Sequence, residues 1–196
     1  MDQRQWEIKR QCYEEGKNKL LAQGYHEIGM DHFALESDGM YQSFQAGTLH
    51  RNFMGYTASK TKVMIGLGIS SISDSWYSFA QNEKKLEDYY ARLENNELPV
   101  YRGHILSAED LMIRRHILNL MCSFQTSWTE PDMQFLELAE VLGQLEEMRD
   151  DGLLEIGPQS LRVTEQGKAF VRNICMAFDL HLKRRRPESR IFSMTI

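Results

Sequence analysis

The stretch His50-Arg51-Asn52-Phe53-Met54-Gly55-Tyr56-Thr57 concentrates a cation, an amide, two aromatic rings and a glycine. Flat rings beside a guanidinium and an amide suit a ligand with an apolar face and polar edges. An idle surface loop of the same composition is the competing reading. Elsewhere the reactive side chains are dispersed. Glu27 and Asp31 alternate onto one face of an extended segment, but at about 3.3 Å per residue they stand roughly 13 Å apart, too far to share an acid/base task. Histidines fall at 26, 32, 50, 104, 116 and 181; His26 and His32 on one strand would be about 20 Å apart by the same rise. Cys12, Cys122 and Cys175 show none of the spacings of a disulfide framework, a zinc motif or an iron–sulfur motif, and read as small buried apolar side chains. Neither a metal-ligand set nor a catalytic residue is therefore expected from this chain alone. Gly66-Leu67-Gly68 lacks the third glycine of a dinucleotide fingerprint, so close backbone packing is expected there.

These groups must be placed by local elements. Residues 3–23 read as a polar helix with Trp6, Tyr13, Leu20 and Leu21 as its apolar positions, ended by Gly24 in a left-handed cap. Residues 25–35 alternate as one strand. Residues 36–62 are rich in Gly, Ser, Thr and Asn and are expected to form a long loop with a short helix ending at Gly47, so residues 50–57 lie on a loop. Residues 63–69 read as a buried strand, 82–97 as a helix and 98–103 as a crossing into a second unit. Ser107 with Asp110 three positions on predicts a capping box opening a helix to Cys122. Pro131 suits a first helical turn, and Phe135, Leu138, Val141, Leu142, Leu145 and Met148 continue a core face up to Gly152. A hairpin over 153–164 turns at Gly157-Pro158-Gln159-Ser160. A last helix from Thr164 carries Phe170, Val171, Ile174, Cys175, Phe178 and Leu182 on one side. Helices, hairpin, helix is the order of a winged-helix module.

With 196 residues, 42% apolar and 26% charged, the chain is long enough for one or two domains with a real core. A formal charge of −5 gives no global attraction to a polyanion. Between Thr129 and Asp151 eight acids face one base, Arg149, which keeps the winged-helix order from implying a phosphate-binding surface. The run Lys183-Arg184-Arg185-Arg186 reads as positive charge at a helix C-terminus. No run approaches the roughly 20 apolar residues of a membrane span, and the polar start Met1-Asp-Gln-Arg-Gln-Trp is unlike a secretory signal. No nucleic acid, no membrane and a cytoplasmic location are expected.

Several strings together resemble one family: Ile28-Gly-Met-Asp-His-Phe-Ala34, Leu49-His-Arg-Asn-Phe-Met-Gly-Tyr-Thr57, Ile65-Gly-Leu-Gly-Ile-Ser-Ser-Ile-Ser73, Ala80-Gln-Asn82 and Arg172-Asn-Ile-Cys-Met-Ala-Phe-Asp179. They are similar, in the same order, to the oxygen-independent coproporphyrinogen III oxidases, or coproporphyrinogen dehydrogenases, of the radical S-adenosylmethionine superfamily. Members are more than twice this long and carry an N-terminal C-x-x-x-C-x-x-C motif for a [4Fe-4S] cluster, which this sequence lacks.

The resemblance implies an α/β fold: the last strand–helix units of a partial (β/α) barrel over 1–97, then a mainly helical, winged-helix-like C-terminal domain over 98–196. It implies oxidative decarboxylation of two propionates of coproporphyrinogen III to vinyl groups, giving protoporphyrinogen IX in haem biosynthesis, with S-adenosylmethionine and a [4Fe-4S] cluster in the complete enzyme. The expected partners are coproporphyrinogen III and a cluster-bearing N-terminal part of the barrel. This chain alone is expected to bind no cofactor tightly and to be catalytically incompetent. The family's second S-adenosylmethionine position carries over to Phe53, Met54 and Ile72, although many relatives have glutamine where Met54 stands and aspartate where Val63 stands. The alternative is a haem or tetrapyrrole carrier related to the same superfamily.

Overall fold

The computed structural model describes residues 3–130 and 137–185. Pro131, Phe135 and Arg186 lie outside it, as do the side chains of Trp6, Leu182, Lys183 and Arg185. Helix α1 (Gln3–Ala22) ends as its sequence predicts. Gly24 takes φ +83°, and the Gly24 and Tyr25 N–H groups donate to the carbonyls of Leu21 and Leu20, a Schellman cap that only a residue at ease in the left-handed region closes cheaply.

Residues 25–35 are not one strand. β1 (His26–Gly29) and β2 (His32–Ala34) pair antiparallel around a turn at Met30, φ +54°, so His26 opposes Ala34. The left-handed turn position is taken by Met30 rather than by its neighbour Gly29, so the side-chain alternation reads on through the turn as a single strand. Helix α2 (Gly39–Gln45) starts on Asp38, whose carboxylate accepts the Met40 N–H, and ends before Gly47 as expected. Residues 50–57 form a hairpin rather than a loop, β3 (His50–Asn52) with β4 (Gly55–Thr57).

Residues 63–69 also depart from expectation. They form one isolated bridge to β5 (Ile72–Asp74), Met64 with Asp74, and the Gly66 N–H donates to Ser73 Oγ, while Val63, Ile65, Leu67 and Ile69 are exposed. The apolar content is real, but no strand among the described residues covers its outer side. β5, β6 (Ser78–Asn82) and β7 (Val100–Ile105) form an antiparallel sheet, so Asn82 ends a strand, and the helix read over 82–97 is the shorter α3 (Leu86–Glu94). Every strand pairing among the described residues is antiparallel, so the parallel strand–helix units expected over 1–97 are not formed among them.

The second half follows its sequence closely. α4 (Ala108–Ser123) opens on a Ser107–Asp110 capping box. It is followed by β8 (Gln125–Ser127), α5 (Glu137–Gln144), α6 (Glu146–Asp150), the hairpin β9 (Leu154–Ile156) and β10 (Ser160–Val163), and a 3-10 turn, Gln166–Phe170. The last helix is divided into α7 (Val171–Ala177) and α8 (Leu180–Arg185), with Phe178 and Asp179 between them. β8, β10 and β9 lie side by side in that order. The larger core joins Leu120, Leu145, Leu154, Leu161, Val171 and Ile174, all but fully buried. A smaller core of Ile28, Ala34, Leu49 and Tyr56 meets it through Phe44 and Cys122, and the Tyr56 hydroxyl donates to the Met121 carbonyl at 2.9 Å. No helix among the described residues is long and apolar enough to cross a membrane.

Candidate functional site

The β3–β4 hairpin presents Phe53 and Met54 at its tip. The Asn52 side chain accepts the Met54 N–H at 2.8 Å, tightening the turn. Met54 is 86% exposed and Phe53 52%. Phe53 is steadied from below by Phe79 on β6, ring centroids 5.1 Å apart and nearly perpendicular. Ile72 pairs with Gln81 and Asp74 with Phe79, so by strand alternation Ile72, Asp74, Phe79 and Gln81 share one sheet face. The structure therefore brings Phe53 and the half-buried Ile72 to one face, while Met54 points away from any packed surface.

That face continues into a charged cluster. Arg114 of α4 donates from Nη2 to both Asp74 oxygens, at 3.0 and 2.7 Å, and from Nη1 to the Trp76 carbonyl. Its guanidinium lies 5.0 Å from the Phe79 ring centre and 5.2 Å from that of Trp76. Trp76 adopts φ +69°, a costly conformation for a bulky residue, held by its N–H on Asp74 and its carbonyl on Arg114. On the other side the Trp76 ring stacks with His50 at 5.9 Å and receives the Lys60 ammonium at 5.1 Å. His50, Lys60, Trp76, Arg114 and Arg115 line a cavity of about 700 Å³. Burial, with help from the Lys60 and Arg114 charges, lowers the His50 pKa from its ordinary 6.5 and favours the neutral ring.

Gly66 does pack by close backbone approach: a Cβ there would stand 2.8 to 2.9 Å from the Ile72 backbone. The Asn82 amide donates to the Gly66 and Gly68 carbonyls and to Ser71 Oγ, pinning the inner edge of the exposed 63–69 segment. In the hairpin, Arg51 lies 4.7 Å from the Tyr56 ring centre, which meets the charge of a guanidinium whose buried Nη1 has no hydrogen-bond partner among the described residues.

The cysteines sit on three helices, with Cys12 exposed rather than buried as expected, Cys122 half-buried and Cys175 buried. Burial pushes Cys122 up to about 11 and Cys175 up to about 12, so both are thiols at neutral pH. A [4Fe-4S] cluster needs converging thiolates, and the described residues do not offer that set. They do gather one other group of ligating side chains, against the expectation that none would form. His104, Asp110 and His181 each offer a ligand atom, all within 4.8 Å of one another. Sequence spacing could not disclose it, since 77 residues separate the two histidines and only the tertiary fold joins them.

Comparison with known proteins accords with the opening resemblance. The HemN C-terminal domain family matches residues 106–170. The oxygen-independent coproporphyrinogen III oxidase of Escherichia coli K12 is 36% identical over 171 residues, covering 85% of this chain and 37% of that protein. That of Synechocystis is 37% identical over 186 residues, covering 90% and 40%, and that of Thermostichus vulcanus 38% identical over 184 residues, covering 91% and 56%. A solved structure described as coproporphyrinogen III oxidase (HemN) from Escherichia coli, a radical SAM enzyme, superimposes with a TM-score of 0.80 at 35% identity over 87% of this chain and 40% of that one. The chain thus spans roughly two-fifths to just over half of the length of these relatives. By sequence and by fold it is similar, over most of its length, to the C-terminal portion of the oxygen-independent coproporphyrinogen III oxidases.

Proposed function

We propose that this chain is the substrate- and cofactor-covering part of a radical S-adenosylmethionine enzyme that converts coproporphyrinogen III to protoporphyrinogen IX in the cytoplasm, and that it turns over only with a cluster-bearing barrel part. The carrying observation is the unbroken row Phe53, Phe79, Arg114, Trp76, which joins an exposed aromatic face to a cationic cavity. Phe53 and Ile72 offer an apolar platform for an adenosyl group, and Met54 the flank of it. Lys60 and Arg115 at the cavity suit the propionate carboxylates of the substrate. S-adenosylmethionine supplies the radical chemistry when the cluster is present; the residues here position and exclude water.

The partial-barrel reading is kept in this form: the apolar outer side of residues 63–69 is the edge that the missing barrel part covers. We place the winged-helix-like unit expected over 98–196 from α4 onward, because β7 pairs with β6 in the sheet of the first half; the β8-β10-β9 sheet and a larger core whose buried members all lie between Met112 and Leu180 support it. The test is anaerobic turnover of coproporphyrinogen III by the chain alone and by the chain expressed with a cluster-bearing partner. Turnover only in the combination is expected. Turnover by the chain alone, or an inert combination that still holds its cluster, overturns the reading.

A further inference from the structure

We propose that His104, Asp110 and His181 form a binding site for a divalent transition cation of the zinc class. The site does not depend on the reading above. It is built from three elements: His104 from β7, Asp110 from the first turn of α4, and His181 from α8. His104 Nε2 lies 3.0 Å from Asp110 Oδ2, and His181 Nε2 lies 2.6 Å from Asp110 Oδ1. The two rings stand nearly perpendicular with centroids 5.5 Å apart, so both Nε2 atoms face one carboxylate.

Two imidazole nitrogens and a carboxylate oxygen are a borderline donor set, matched to zinc, cobalt or nickel rather than to calcium or magnesium. Metal–nitrogen bonds of about 2.0 Å place tetrahedral ligands about 3.3 Å apart. Ligand atoms already within 4.8 Å of one another need only side-chain rotation to close on an ion. The carboxylate is pre-set by the Ser107 N–H and hydroxyl, both donating to Oδ2 at 2.9 and 3.0 Å, which leaves Oδ1 as the oxygen to ligate. Asp110 is buried, while both histidines are about half exposed, so an ion has an open side for water and for entry. One turn on, Arg184 pairs with Glu109, holding α8 against α4 and keeping His181 in reach. Ion binding would clamp α8 to β7 and α4.

The test uses the full chain, untagged, stripped with chelator and titrated with Zn²⁺ against a chromophoric competitor, with Cys12→Ser as the background so that the exposed thiol contributes nothing. One equivalent is expected to bind. His104→Gln and His181→Gln should each lose about tenfold or more in affinity and the double variant should lose the site, with far-UV circular dichroism unchanged. Glu109→Gln, which breaks the Arg184 pair but leaves all three donors, should still bind one equivalent. Co²⁺ should give the intense visible absorption of a tetrahedral site in the background chain and not in His181→Gln. Equal Zn²⁺ affinity in the background chain and both histidine variants, or no stoichiometric binding in a chain that is folded, overturns the proposal.

Discussion

Arg114 reaches across forty positions of sequence to Asp74 and shares one terminal nitrogen, Nη2, between both carboxylate oxygens, 3.0 and 2.7 Å away. Both side chains are largely withdrawn from water, at 14% and 9% exposure. The same contact fixes the strained Trp76 backbone and sets the Arg114 plane between the Phe79 and Trp76 rings. One ion pair thus ties the antiparallel sheet to α4 and aligns the row that ends at Phe53.

Removing either charge leaves the other buried and unpaired. Arg114→Met or Asp74→Leu should each cost about 3–5 kcal/mol in urea unfolding. The double variant should recover a good part of that loss, because two apolar side chains then share the space. Equal losses that simply add would mean that the two groups are not coupled.

His50 makes the chain acid-sensitive. Its folded pKa lies below the ordinary 6.5, so as pH falls through that value the unfolded chain takes up a proton that the folded chain resists, and stability drops. Above about 7 neither state is protonated there and the contribution vanishes. His50→Phe, which keeps a flat ring against Trp76, should flatten the stability-versus-pH curve below 6.5 relative to the unmodified chain.

What the sequence discloses depends on how local each signal is. Ser107 and Asp110 are three residues apart and describe their own capping box; Gly24 and Gly152 mark helix ends where the left-handed region is needed, at φ +83° and +74°. The β1–β2 turn carries no such mark at its left-handed position, since Met30 occupies φ +54° without being glycine or asparagine. Residues 63–69 were legible as an apolar segment and as a close approach at Gly66, but not as an exposed one, because exposure depends on what covers it. Phe53 and Ile72 were placed on one site by resemblance, yet Phe79, Arg114 and Trp76, which build the rest of it, are linked only through the fold. His104 and His181 were missed for the same reason.

The exposed edge predicts self-association. Leu67 is 86% exposed and Ile65 73%, on a segment whose outer side has no strand partner among the described residues. Ile65→Lys with Leu67→Lys should shift sedimentation toward monomer while changing stability by no more than about 0.5 kcal/mol. Gly66→Ala, one position away but facing the Ile72 backbone, should instead destabilise by about 1–3 kcal/mol, since backbone has little room to yield. Similar behaviour of the two kinds of variant would show that the inner and outer sides of this segment are not distinct.

The hairpin tip carries the sharpest test of the cofactor reading. In the assembled, cluster-bearing enzyme, Phe53→Ala removes the ring that Phe79 braces and should weaken S-adenosylmethionine at the second position by about ten- to a hundredfold, about 1–3 kcal/mol, with the iron content unchanged. Ile72→Asp puts an unpaired carboxylate into the same half-buried face and should cost more. Phe79→Leu should give an intermediate loss, because it leaves Phe53 in place without its edge-on support. Met54→Gln is the discriminating change: Met54 is 86% exposed, so little stability is lost, and the amide adds a hydrogen-bond donor and acceptor where the resemblance leads one to expect glutamine. It should tighten the cofactor and raise turnover. Equilibrium dialysis against labelled S-adenosylmethionine, run beside the turnover assay, reads all four variants. If neither affinity nor turnover moves in any of them, the β3–β4 tip is structural and the second cofactor must be sought elsewhere.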